Sequence, residues 1–256
     1  MGVKVAWQST FPGVTHANID DIDDARGLLE LFLHMPNLIS LDVYAANLLS
    51  DDVPADFSLR CNHLETLNLT IGDECDDDMP HRLEFPSLRK AYLCFSDPSV
   101  TADATLTAFL QYPLHTVEEL TLDALEAAML DGLQYLQRLT MLHFVFYDDT
   151  SDAALKGLSK ADEHGVWLCP KLIHVTLPVD VPSVYLEEII LSLVHARGPD
   201  AWPPEKNPPA QLQSLKLKDP LVPSAEPHRS RFTALIDDLL DPTSSVSRLD
   251  YPDWTE

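Results

Sequence analysis

The chain has 256 residues, 45% of them hydrophobic and 23% charged, which is enough apolar material for a continuous core and argues against wholesale disorder. Seventeen basic against 41 acidic side chains give a net charge of −24, a field that repels nucleic acid and anionic membranes and speeds encounter with basic proteins. No apolar run approaches the roughly 18–20 residues that span a bilayer, and residues 1–7 lack the long apolar stretch of a secretory signal, so a cytoplasmic or nuclear protein is expected.

In chain order, Val3, Val5 and Trp7 alternate as a capping strand would, within an N-terminal cap of about residues 1–20. A helix follows at 23–34, with Ala25, Leu28, Leu29 and Phe32 on one face. From there one phrase returns: an apolar residue, two arbitrary residues, an apolar residue, one arbitrary residue and a third apolar one. It occurs at Leu38/Leu41/Val43, Leu64/Leu67/Leu69, Leu88/Ala91/Leu93, Val117/Leu120/Leu122, Leu139/Leu142/Phe144, Leu172/Val175/Leu177, Leu212/Leu215/Leu217 and Val246/Leu249/Tyr251. The first residues of successive copies lie 26, 24, 29, 22, 33, 40 and 34 apart. Between copies the period lengthens from two to about 3.6, and helices are expected at 101–110, 127–136, 152–158 and 183–196. The helix at 183–196 is the clearest, with Leu186, Ile189, Ile190, Leu193 and Val194 inward, Ser183 as cap and Gly198-Pro199 as stop. A last helical pattern runs through Phe232, Leu235, Ile236, Leu239 and Leu240. Two proline-rich stretches, 199–209 and 220–227, lengthen the late units. Trp202 in the first of them reads either as a partner anchor or as an indole folded back on its own unit.

Each phrase supplies a short strand with one apolar face that a single unit cannot bury, so units must stack. The expected fold is α/β: a leucine-rich-repeat solenoid, or horseshoe, with an inner parallel sheet and outer helices of irregular length, spanning 1–256 as one domain. Three junctions share a finer detail, Met35-Pro36-Asn37-Leu38, Phe85-Pro86-Ser87-Leu88 and Cys169-Pro170-Lys171-Leu172, with Cys61-Asn62-His63-Leu64 as a proline-free variant. Proline closes the outer segment and biases the residue before it toward an extended conformation. In these junctions and phrases the chain resembles the leucine-rich-repeat regions of fungal F-box-like proteins. The resemblance implies the substrate-binding region of a ubiquitin-ligase receptor. The first 35 residues hold no Leu-Pro-x-Glu opening of an F-box, so a Skp-type adaptor is expected as partner only if an F-box lies upstream of this chain.

Alternation along each strand places the residues between the apolar ones on the opposite sheet surface. The partner-binding candidates are the centre column Asp42, Asn68, Tyr92, Thr121, His143, Thr176 and Lys216, with Tyr44 beside it. Tyr44, Tyr92 and His143 are the preferred contacts, since aromatic and adaptable polar groups carry much interface energy. Such a mixed surface suits protein recognition better than polyanion or lipid binding. The alternative is a stand-alone acidic scaffold or inhibitor that binds a basic protein. The acids cluster at 20–24, 51–52, 73–78, 148–149 and 237–238, beside elements instead of within them, as solvated loops and helix starts do.

Chemistry is sparsely signalled. Eight scattered glycines form no phosphate-cradling loop, and no zinc-protease, Cys-x-x-Cys or calcium-loop spacing occurs. Cys61, His63, Cys75 and His81 are ligand types that zinc prefers, but a strand of about 20 Å separates the two pairs. A third reading is therefore a metal protein or enzyme using the acidic loop 73–81. No cofactor, catalytic residue or metal ligand is assigned.

Overall fold

The computed structural model describes residues 9–22, 24–49, 53–54, 57–75, 78–95, 102–123, 129–145, 151–178, 184–199, 208–217 and 227–241. The elements in chain order are β1 His16–Ile22, α1 Ala25–His34, β2 Ser40–Leu48, β3 Leu59–Arg60, β4 Thr66–Cys75, β5 Leu83–Glu84 and β6 Lys90–Phe95. There follow α2 Ala102–Gln111, β7 Glu119–Leu122, α3 Met129–Leu133, β8 Met141–Phe144, α4 Ser151–Leu158, β9 His174–Leu177, α5 Val184–Arg197, β10 Ser214–Leu217 and α6 Pro227–Leu240. Val3, Val5 and Trp7, Trp202, Ser183, the stretch 220–226 and the eighth phrase at 246–251 lie outside the described residues.

Among the described residues, eight strands form one parallel sheet in the order β1-β2-β4-β6-β7-β8-β9-β10, while β3 and β5 pair in a second, two-stranded sheet. In the large sheet each strand lies beside the next in the chain. This strict succession follows from the phrase itself, because every unit carries the same apolar pattern in the same phase. Leu41, Val43, Leu67, Leu69, Ala91, Leu93, Leu120, Leu122, Leu142, Phe144, Val175 and Leu177 are all buried. The inward residues of the helices, among them Leu28, Phe109, Leu133, Leu155, Ile190 and Ile236, belong to the same apolar cluster. A slip of one residue in any strand would turn its leucines to solvent, at roughly 1.5–3 kcal/mol for each, so register is strongly specified.

The junctions behave as one device. At six of them the fourth residue of a turn donates its backbone N–H to the carbonyl of the first at 3.0–3.3 Å: Phe11–Val14, Met35–Leu38, Phe85–Leu88, Leu114–Val117, Leu136–Leu139 and Cys169–Leu172. Proline stands second in four of these turns, where its fixed φ suits the conformation. Immediately after each turn, and likewise after Leu64, one carbonyl per unit accepts two successive N–H groups of the following unit at 2.8–3.2 Å; the acceptors are Thr15, Ile39, Glu65, Arg89, Glu118, Thr140 and Ile173. Backbone groups at the sheet's entry edge are thereby satisfied unit by unit.

The first unit differs from expectation. The stretch expected as an N-terminal cap contains β1, which pairs with β2 in parallel, His16 opposite Ser40 and Asn18 opposite Asp42. Its phrase is Val14/Ala17/Ile19, preceded by the turn Phe11-Pro12-Gly13-Val14. Helix positions agree with the periodicity to within a few residues, and α3 ends at Leu133, three residues before the expected limit. Asp24 caps α1 by accepting the Gly27 N–H at 2.7 Å.

At the far end of α5 a charged side chain enters the interior. Arg197 is 1% exposed. It donates Nε to Leu158 O at 2.8 Å, Nη1 to Cys169 O at 3.1 Å and Nη2 to Leu168 O, with its guanidinium 5.4 Å from the Trp167 ring centroid. Burial pulls the guanidinium down to about 10, still well above neutrality, while the nearby Cys169 acts in the opposite sense. Cys169 has φ 44°, a left-handed conformation costing a non-glycine residue roughly 1–2 kcal/mol. Its carbonyl is held from two sides, by Arg197 at 3.1 Å and the Leu172 N–H at 3.0 Å.

Candidate functional site

The face opposite the core is assembled by register. Asn18, Asp42, Asn68, Tyr92, Thr121, His143, Thr176 and Lys216 are successive pairing partners, one per strand, forming a single row across the sheet. Every centre-column residue named from sequence thus lies in that row, and Asn18, not foreseen, extends it onto β1. Tyr44 lies in the adjacent row, paired with Thr70, which in turn pairs with Cys94. The third row is His16, Ser40, Thr66, Lys90, Glu119, Met141, His174 and Ser214. The signal for His16 and Asn18 was present in the Val14/Ala17/Ile19 phrase and its proline turn, but alanine in the middle made it weak.

Two halves of this face differ in chemistry. From β6 onward several polar side chains are tied to one another across strands. Lys90 Nζ meets Glu119 Oε2 at 2.6 Å, His143 Nδ1 lies 2.9 Å from Thr176 Oγ1, and His174 Nδ1 lies 2.8 Å from Ser214 Oγ. Tyr92 OH and Cys94 Sγ both donate to Asp123 Oδ2, at 3.2 and 2.7 Å. Burial, reinforced by the neighbouring carboxylate, pushes the Tyr92 hydroxyl well above its ordinary value and the Cys94 thiol up to about 11. Cys94 is consequently a protonated hydrogen-bond donor at neutral pH, not a thiolate nucleophile. On β2 and β4, by contrast, Asp42 is exposed and Tyr44 and Asn68 half-buried. Among the described residues their side chains have no hydrogen-bond or ion-pair partner. A largely internally bonded half therefore adjoins a half where the Asp42, Tyr44 and Asn68 side chains are free to meet an incoming molecule.

The thiols and imidazoles of the zinc reading do not converge: among the described residues no three or more His, Cys, Asp and Glu side chains are placed to hold a metal ion. Burial pushes the Cys61 thiol up to about 12 and, against the opposing influence of Arg197, the Cys169 thiol up to about 12 as well. The sign of the pH effect follows. The folded state keeps these protons at pH values where an unfolded thiol, near 9, gives its proton up, so stability is full below about pH 9 and declines as pH rises toward 11–12. Each buried thiol adds a slope of at most about 1.4 kcal/mol per pH unit, Cys94 less because it is partly solvated. Urea midpoints measured from pH 8 to pH 10.5 should fall, and Cys169→Ala should make the fall shallower.

No helix among the described residues is long and apolar enough to cross a membrane. The class that fold and face define is an α/β protein built on a sequentially ordered parallel sheet with one face buried and one open. Comparison with protein families, characterised proteins and solved structures finds no match.

Proposed function

We propose that the chain is a leucine-rich-repeat solenoid that recognises a protein partner, without catalysis, through its open sheet face. The observation that carries this reading is the row of Asn18 to Lys216, one polar or aromatic side chain per strand on a continuous lattice. A lattice of fixed spacing and varied chemistry suits an extended protein surface, whereas a small molecule needs an enclosing cleft. Supporting it are the unit-by-unit backbone pattern at the turns and the aromatic positions Tyr44 and Tyr92, side chains of the type that dominate interface energies. The protonated state of Cys94 speaks against thiolate chemistry on this face.

In its finer form the reading is the substrate-binding region of an F-box-like ubiquitin-ligase receptor, cytoplasmic or nuclear, reaching a Skp-type adaptor if an F-box lies upstream. The second reading, a stand-alone scaffold or inhibitor of a basic protein, is favoured by the net charge of −24 and by the free carboxylate of Asp42. Capture from a source-cell lysate tests the common core of both, comparing the native chain with a folded Tyr44→Ala/Tyr92→Ala/His143→Ala variant. A partner held by the native chain should be depleted at least about tenfold by the variant, the loss of one or two interface anchors. Recovery of ubiquitin-ligase substrates or of a single basic protein would then separate the two forms. Equal capture by both chains would contradict the reading.

A further inference from the structure

Away from the open sheet face, the Pro80–Arg82 turn, β5 and the end of α2 border an open recess of about 290 Å³. Its wall includes His81, Arg82, Glu84, Tyr112 and His115, and no residue of the centre row. The rings of His81 and Tyr112 are in contact, with centroids 3.9 Å apart. His115 Nδ1 bonds to the Tyr112 carbonyl. A carbonyl can only accept, so Nδ1 carries the proton and the His115 N–H is spent on this bond. The same bond covers a carbonyl just past the end of α2, where uncapped carbonyls would oppose an anion. Glu84, the carboxylate on the wall, is engaged by Arg60 Nη1 at 3.0 and 3.2 Å. Arg82 spends Nη1 on the carbonyls of Val53 and Pro54, at 3.3 and 2.8 Å, and has no carboxylate partner among the described residues. In a chain of net charge −24, an arginine and two imidazoles facing one already paired carboxylate reverse the average surface.

We propose that this recess binds a compact oxyanion of the phosphate class. Arg82 supplies the fixed charge and His81 a ring N–H donor, while His115 lines the wall beside them. Arg60 and Glu84 offset each other beside them, and the Tyr112 ring forms the remaining wall. The site is independent of the sheet-face reading and stands or falls separately.

The test uses the full chain and inorganic phosphate at one fixed pH, with chloride at matched ionic strength as control, following the histidine ring-proton resonances. Saturable shifts confined to His81 and His115 are expected. Arg82→Gln should abolish saturation. Because Arg82 also holds the carbonyls of Val53 and Pro54, the exposed His81→Gln is the second variant, expected to weaken binding several-fold with thermal unfolding unchanged. Displacement of phosphate by phosphoserine would assign the site to a phosphorylated partner; its failure to displace would assign it to the free ion. Shifts that rise without saturating, or saturation that both variants retain, would overturn the proposal.

Discussion

Replacement of Arg197 by methionine should lower the unfolding free energy by about 2–4 kcal/mol, because buried carbonyls lose the donor that satisfies them. The guanidinium serves three carbonyls, Leu158 O at the end of α4 and Leu168 O and Cys169 O before β9. Cys169 O keeps the Leu172 N–H, but Leu158 O and Leu168 O lose the Arg197 donor, at about 1–3 kcal/mol each. Methionine spares the cost of burying a guanidinium, which offsets part of that sum. Methionine keeps most of the volume beside Trp167, so the effect reports hydrogen bonding more than cavity formation. Arg197→Lys should recover only part of the loss, since a point ammonium cannot reproduce the fork that reaches three carbonyls. Urea denaturation with a common m-value is the measurement, and a loss below about 1 kcal/mol for methionine would show that the carbonyls find other donors. Against a typical total of about 5–15 kcal/mol, the predicted change is large.

Leu120→Ala should cost about 3–5 kcal/mol, in the upper part of the range for buried leucine truncation. Leu120 is 0% exposed in β7, and its register partners on the core side are Ala91 and Leu142. Alanine on the β6 flank cannot expand into the space, so the cavity stays open on that side. Because adjacent units bury one another, a void in a middle strand also weakens two neighbouring interfaces. Thr121→Val, one residue on and facing away from the core, should change stability by no more than about 0.5 kcal/mol. Comparable losses from the two substitutions would refute the alternation that defines the open face.

The sheet was largely legible because a three-residue apolar phrase sets both the strand and its phase, and phase alone decides which side chains share a row. The centre column from Asp42 to Lys216 follows from that rule without knowledge of any contact. What escaped was whatever periodicity does not encode. β3 and β5 contain two residues each, too short to show alternation. Arg197 reads in sequence as a cation closing a helix C-terminus, a normal surface role, whereas its partners lie 28–39 residues upstream. Asp123, two residues after Thr121, is not among the partner-binding candidates that the alternation names. Its role as joint acceptor for Tyr92 and Cys94 depends on distances between β6 and β7 that spacing cannot supply. The recess beside Tyr112 gathers residues from segments more than fifty positions apart, Ser58 to His115, and carries no local motif.

Hydroxyl-radical footprinting of the chain alone and bound to its captured partner tests recognition through the open face most directly, because it reports side chains on both sides of the molecule at once. Tyr44, Tyr92, Met141 and His143 should be protected in the complex, while Phe11, Leu33 and Tyr185, which are 40%, 53% and 52% exposed, should oxidise as before. Protection of Phe11, Leu33 or Tyr185 with unchanged oxidation of the four sheet-face residues would contradict the account.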